Sequence, residues 1–98
     1  MGYDVNDAGF LNNPEDWSTA FANWAARQDG LILLDVHWKY INAAKEYYAE
    51  YNVVPPIRQF AKLHGMDRKA KELYELFVSS PMKRIARYGG MPAPTGCH

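Results

Sequence analysis

Ninety-eight residues contain a single cysteine, so no disulfide can form within the chain and a secreted disulfide scaffold is excluded. A redox cycle that uses two thiols of one chain is excluded for the same reason. No stretch approaches the roughly 18–20 consecutive apolar residues that a membrane span requires. The first residues carry no basic-then-apolar leader pattern, and a cytoplasmic chain without membrane association is expected. No glycine loop opens a helix in the way a phosphate cradle demands, because Gly89-Gly90 follows a helical segment instead. His64, Cys97 and His98 do not fall into a metal-ligand spacing, so neither metal nor cofactor is expected.

There is also no excess charge, with 11 bases against 11 acids. The balance is uneven along the chain, however. Residues 1–50 hold eight acids and three bases, and residues 51–98 hold eight bases and three acids. The second half is therefore a candidate face for an acidic or phosphate-bearing partner. A dedicated nucleic-acid binder would show a net basic excess, so sequence-specific nucleic-acid binding is not expected.

What is abundant is aromatic and apolar side chain: 14% aromatic and 48% hydrophobic residues predict one small core built on large rings. Short apolar runs flank an Asn/Asp/Ala/Gly turn over Tyr3–Leu11 and predict a small N-terminal β-hairpin. Asn13-Pro14-Glu15-Asp16 predicts a helix start, carrying Trp17, Phe21 and Trp24 on one stripe and stopping at Gly30. Leu31–Leu34 is a short apolar link expected to be buried. Asp35 is expected to cap a long helix from about Val36 to Tyr51, ended by Asn52, with Trp38, Ile41, Ala44, Tyr48 and Tyr51 facing the core. Pro55-Pro56 breaks the chain and opens a further helix that ends at Gly65. Asp67 is expected to cap the next, running to about Phe77, and Ser80-Pro81 opens the last, ended by Gly89-Gly90. His37, beside Trp38, reads as a structural histidine.

The closing segment differs in kind. Residues 89–98 hold three Gly and two Pro and show no apolar period. Pro92 and Pro94 favour an extended path, and at about 3.1 Å per residue the eight residues from Gly89 to Gly96 span roughly 25 Å. The expected organisation is a helical body over 1–88 and a flexible arm over 89–98, with Cys97 near its tip. A thiol in such a place, preceded by Gly96, is open to an incoming electrophile and suits sulfur transfer. Gly90, Pro92, Pro94, Thr95 and Gly96 would position it. Lys83, Arg84 and Arg87 lie on the last helix just before the arm. Singly, each reads as a solvated helix-face cation. Together with Arg58 they are candidates for stabilising a thiolate or for docking a partner.

Met91-Pro-Ala-Pro-Thr-Gly-Cys97 resembles the Leu-Pro-Lys-Pro-Thr-Gly-Cys ending of the DsrC/TusE sulfur-carrier family. The resemblance extends through Gly9-Phe10-Leu11, Trp17, His37-Trp38, Tyr47-Tyr48, Glu50-Tyr51-Asn52, Pro55-Pro56-Ile57-Arg58, Leu73-Tyr74 and Leu76-Phe77. It implies a mainly α fold: a small helical bundle with a helix-turn-helix-like centre, a short N-terminal hairpin and a mobile C-terminal arm. It also implies a persulfide carrier of sulfurtransferase type, not an autonomous enzyme, placed between an upstream persulfide donor and a downstream sulfur acceptor. Family members that work with dissimilatory sulfite reductase carry a second cysteine eleven residues before the terminal one, where this chain has Ala86. The single thiol thus favours the TusE-like branch, which relays sulfur towards 2-thiouridine in transfer RNA. Two alternatives stand beside it: a DsrC-like partner in sulfite reduction or sulfur oxidation, and a helix-turn-helix regulator reading DNA through Arg58, Gln59 and Lys62.

Overall fold

The computed structural model describes residues 3–66 and 70–92. Five α-helices follow one another: α1 (Thr19–Gln28), α2 (Asp35–Tyr51), α3 (Ile57–Leu63), α4 (Lys71–Phe77) and α5 (Pro81–Tyr88). The mainly α bundle expected from the periodicity is the observed one.

α5 is the centre of the packing, in contact with α1, α2 and α4. Its eight residues bury Pro81, Met82, Ile85, Ala86 and Tyr88, while Lys83, Arg84 and Arg87 occupy the other face. Around it close Phe10, Phe21, Ile41, Phe60, Leu73 and Phe77, none more than 2% exposed. Ring contacts extend this core outward: Phe21 meets Tyr3 and Trp24 at 5.1 and 5.8 Å, and Tyr40 ties α3 to α2 through Phe60 at 6.1 Å. Removing one such phenylalanine ring leaves a cavity and costs about 3–5 kcal/mol.

Three helices end identically. Gly30, Gly65 and Gly90 each take a positive φ of 72–76° one residue past the cap. The next amide reaches back five residues, from Leu31 to the Ala26 carbonyl (2.9 Å), Met66 to Ala61 (2.8 Å) and Met91 to Ala86 (2.9 Å). Only glycine adopts that backbone without a Cβ penalty, and the apolar residue after it packs back on the bundle. Here the glycine stops read from the sequence match the structure.

Helix starts depart from expectation. Asn13 accepts from the Glu15 amide and caps only a 3-10 turn, Pro14–Asp16. The α-helix begins at Thr19, with the Ser18 hydroxyl accepting from the Phe21 amide at 3.2 Å. Asp35 is the first residue of α2 and not its cap; the cap position is Leu34, whose amide donates to His37 Nδ1 at 3.1 Å. The expected Asp67 cap lies outside the described residues, and α4 begins at Lys71 behind a left-handed Ala70. Ser80 does precede α5, but with φ 44° its side chain makes no capping hydrogen bond. The N-terminal turn is closed by one antiparallel bridge, Val5 to Leu11, and forms no longer ladder among the described residues.

Two burial expectations are corrected. The 31–34 link is extended, so its side chains alternate: Leu31 and Leu33 turn inward, while Ile32 and Leu34 are 78% and 58% exposed. Tyr51 is 56% exposed because it sits on the last turn of α2, where its ring meets that of Tyr47 at a tilt, with centroids 4.6 Å apart.

Candidate functional site

Beyond α5 the described chain runs through Gly89-Gly90-Met91 to Pro92. Trp17 decides its path. The break between the 3-10 turn and α1 leaves Trp17 off the helix, and its indole Nε1 donates to the Tyr88 carbonyl at 2.7 Å. That carbonyl belongs to the last turn of α5, where the helix itself offers no donor. The indole also lies against Gly90 so closely that a Cβ there would fall 2.6 Å from Trp17 Cδ1. Gly90 is thus required twice over, by its positive φ and by the ring beside it. Lys45 of α2 places Nζ 3.1 Å from the Trp17 ring centroid, and desolvation lowers its pKa. Trp17, Lys45, Tyr48 and the 89–91 backbone enclose a cleft of about 220 Å³. Met91 is buried against it, and Pro92 is exposed.

Two of the three α5 cations, Arg84 and Arg87, are not solvated. Arg84 donates through Nη1 to the Phe77 carbonyl at 2.8 Å and sets Nε 3.8 Å from Asp29. Arg87 donates through Nη2 to the Ala25 carbonyl at 2.9 Å and pairs with Asp29. The Tyr88 hydroxyl donates to the same Asp29 oxygen at 2.6 Å. Burial, then the Asp29 hydrogen bond, pushes the Tyr88 pKa up. The corrected reading makes Arg84 and Arg87 ties between α5 and the end of α1, whereas Lys83 is exposed. Arg58 is exposed on α3. A cleft of about 210 Å³ opens beside these cations, between them, Asp29, Ala8 and the Ser79-Ser80 turn.

The turn before α5 is strained. Val78 has φ 72° and ψ −58°, and the Ser79 amide donates back to the Phe77 carbonyl at 2.8 Å. This is a γ-turn of the rare positive-φ kind on a β-branched residue, a conformation that costs about 1–3 kcal/mol.

His37 is structural, as its place in the sequence suggested. It is 6% exposed, accepts from the Leu34 amide at Nδ1 and donates from Nε2 to the Leu76 carbonyl at 2.9 Å. Those two partners select the neutral ring protonated at Nε2. Tyr40 donates to Glu72, and burial followed by that bond raises its pKa to about 12. Desolvation lowers the His64 pKa.

Of the residues picked from the sequence, Gly90 and Pro92 stand just beyond the end of α5, and Lys83, Arg84 and Arg87 gather on one side of α5. Pro94, Thr95, Gly96 and Cys97 lie outside the described residues. Trp17, Lys45 and Asp29 were missed as site residues. Asp29 left one signal: an acid at a helix C-terminus opposes the macrodipole and implies a cationic partner from elsewhere.

The family model described as DsrC like protein matches residues 1–98. The chain belongs to the DsrC-like family. A sulfurtransferase TusE from Yersinia pseudotuberculosis is 33% identical over 99 residues, covering 96% of this chain and 92% of that protein. The gamma subunit of a dissimilatory-type sulfite reductase from Nitratidesulfovibrio vulgaris is also 33% identical, covering 97% of this chain and 90% of that one. Among solved structures, DsrC of Allochromatium vinosum superposes with a TM-score of 0.84 at 39% identity, over 96% of this chain and 88% of that chain. As a DsrC-like protein, the chain shares with these relatives its mainly helical fold. Among its described residues no helix is long and apolar enough to cross a membrane.

Proposed function

We propose that this DsrC-like protein is a sulfur carrier whose Cys97 is transiently persulfidated between a donor protein and an acceptor. The Cys97 thiolate attacks the outer sulfur of a donor persulfide. The new S–S bond forms at Cys97 as the donor's own S–S bond breaks, and the donor leaves as thiolate. An acceptor thiolate repeats the attack and returns Cys97 to thiolate, so one sulfur atom moves with no external oxidant or reductant. The observation that carries the reading is the position of the chain's only thiol. It stands six residues beyond Met91 on Pro-Ala-Pro-Thr-Gly-Cys, a run able to extend about 19 Å from the body at polyproline spacing. The arm expected over 89–98 would then begin at Pro92, because Gly89 and Met91 are buried, and the 89–91 turn under Trp17 would fix the direction in which it leaves.

The TusE relatives and the missing second cysteine at Ala86 favour delivery towards 2-thiouridine of transfer RNA over a sulfite-reductase role. The gamma-subunit relative keeps that second role as the alternative. The comparisons lend no support to DNA reading, and α3 offers only Arg58, Gln59 and Lys62 for it. The test is mass spectrometry after incubation with a persulfide donor. The expected result is one added sulfur atom on the Cys97 peptide, absent in Cys97→Ser. An unmodified Cys97 peptide, or normal relay activity in Cys97→Ser, rejects the reading.

A further inference from the structure

We propose that the cleft between the end of α1, the Ser79-Ser80 turn and α5 binds a doubly charged oxyanion of the phosphate and sulfate class. It is separate from the Trp17–Lys45 cleft at the Gly89–Gly90 turn, and the two share no lining residue. The proposal does not depend on the sulfur-carrier reading.

Charge is the first argument. The cleft is lined by three cations, Lys83, Arg84 and Arg87, and by one acid, Asp29. Spacings of three and four residues bring all three cations to the same side of α5. Asp29 offers one oxygen, Oδ2, to Arg84, Arg87 and the Tyr88 hydroxyl together. One carboxylate against three cations leaves two positive charges unmatched within the lining, which suits a dianion.

Donors are the second argument. Arg84 donates a hydrogen bond through Nη1 and lies at ion-pair distance from Asp29 through Nε, and Arg87 donates through Nη2. No described carboxylate pairs with Lys83. Ser79 and Ser80 add hydroxyls from the facing turn, and the Ser80 side chain is not engaged in capping α5. Guanidinium groups fixed at one end by backbone carbonyls are pre-organised, so little further ordering opposes binding. A volume of about 210 Å³ admits a tetrahedral oxyanion, and donors approaching from both walls fit four oxygens better than the two of a carboxylate.

The same chemistry could arrive as a free ion or on a nucleic-acid backbone, and the experiment separates the two. The full chain is followed by two-dimensional amide NMR while sodium sulfate or inorganic phosphate is added at constant ionic strength, with chloride as the balancing salt. Saturable shifts at the 79–87 amides are expected, and Lys83→Gln and Arg84→Gln each weaken binding about tenfold, the typical worth of one charge-assisted hydrogen bond. Lys62→Gln, on α3, leaves it unchanged. Should Arg84→Gln unfold the bundle, Lys83→Gln and Ser80→Ala alter exposed side chains and carry the test. A short single-stranded RNA that binds the same amides more tightly per phosphate assigns the source to a polymer, and weaker binding assigns it to the free ion. Shifts that never saturate, that persist in both Lys83→Gln and Ser80→Ala, or that an acidic peptide produces more strongly than phosphate overturn the proposal. Cys97→Ser abolishes sulfur loading and keeps oxyanion binding, so failure of one reading is distinguishable from failure of the other.

Discussion

Gly30 and Gly90 close α1 and α5 with the same hydrogen bonds and nearly the same φ, 76° and 74°. Their surroundings are opposite. A Cβ on Gly30 would meet nothing within 4 Å, whereas one on Gly90 would drive into the Trp17 ring. One turn is therefore a local backbone device. The other is a junction where α5, the Trp17 segment and Lys45 of α2 meet.

The sharpest way to break this contrast is to substitute both glycines. Gly90→Ala carries the left-handed penalty and an overpacking penalty, roughly 3 kcal/mol together, whereas Gly30→Ala carries only the first, about 1 kcal/mol. In a domain of this size the melting temperatures should fall by roughly 15 °C and 5 °C respectively. In a Trp17→Leu background the Gly90→Ala cost should shrink towards that of Gly30→Ala, read as a coupling energy from urea unfolding. Equal costs at the two glycines would remove the distinction.

The two turns are themselves linked, since Asp29, the C-cap of α1, receives Arg87 and Tyr88 from the last turn of α5. Asp29→Ala strands both donors in a largely buried setting and should cost about 2 kcal/mol in chemical denaturation. Asp16→Ala, an exposed acid in the 3-10 turn, should stay within about 0.5 kcal/mol.

The smallest effect is read with base. Tyr88 and Tyr40 have raised pKa values because burial and a donated bond to Asp29 or Glu72 favour the neutral phenol. A pKa raised in the folded state gives stability that is complete below the ordinary tyrosine value of about 10 and is lost as pH climbs through the higher folded values. Unfolding midpoints should therefore drop above about pH 10, and Tyr88→Phe should flatten that decline more than Tyr47→Phe. Equal profiles for the two variants would place the titration elsewhere.

Helix ends were more legible than helix starts. Gly30, Gly65 and Gly90 announce a left-handed backbone that other residues resist, so residue type alone marks the stop. A start has several candidate caps within a few residues. Asn13 against Ser18, and Asp35 against Leu34 with His37, were settled by which arrangement seats Trp17 and His37 in the bundle. At the candidate site, the motif ending in Cys97 and the cluster of bases on α5 were visible in the chain. Trp17 was read as one ring of a helical stripe, and nothing local could reveal its bond to a carbonyl 71 residues away. Arg84 and Arg87 looked like solvent-facing cations for the same reason.

Composition, turn chemistry and the terminal motif were enough to indicate a mainly helical fold, its glycine stops and its family. Those features depend on φ, ψ and hydrogen bonds spanning a few residues, and the amino-acid identities encode them directly. Packing alone decided that Asp29 gathers two hydrogen-bond donors and the Arg84 cation, that Ile32 faces outward and Leu33 inward, and that an indole stands over the last glycine turn. Such pairings join segments some 60–70 residues apart, and their energies exist only once α5 has been surrounded.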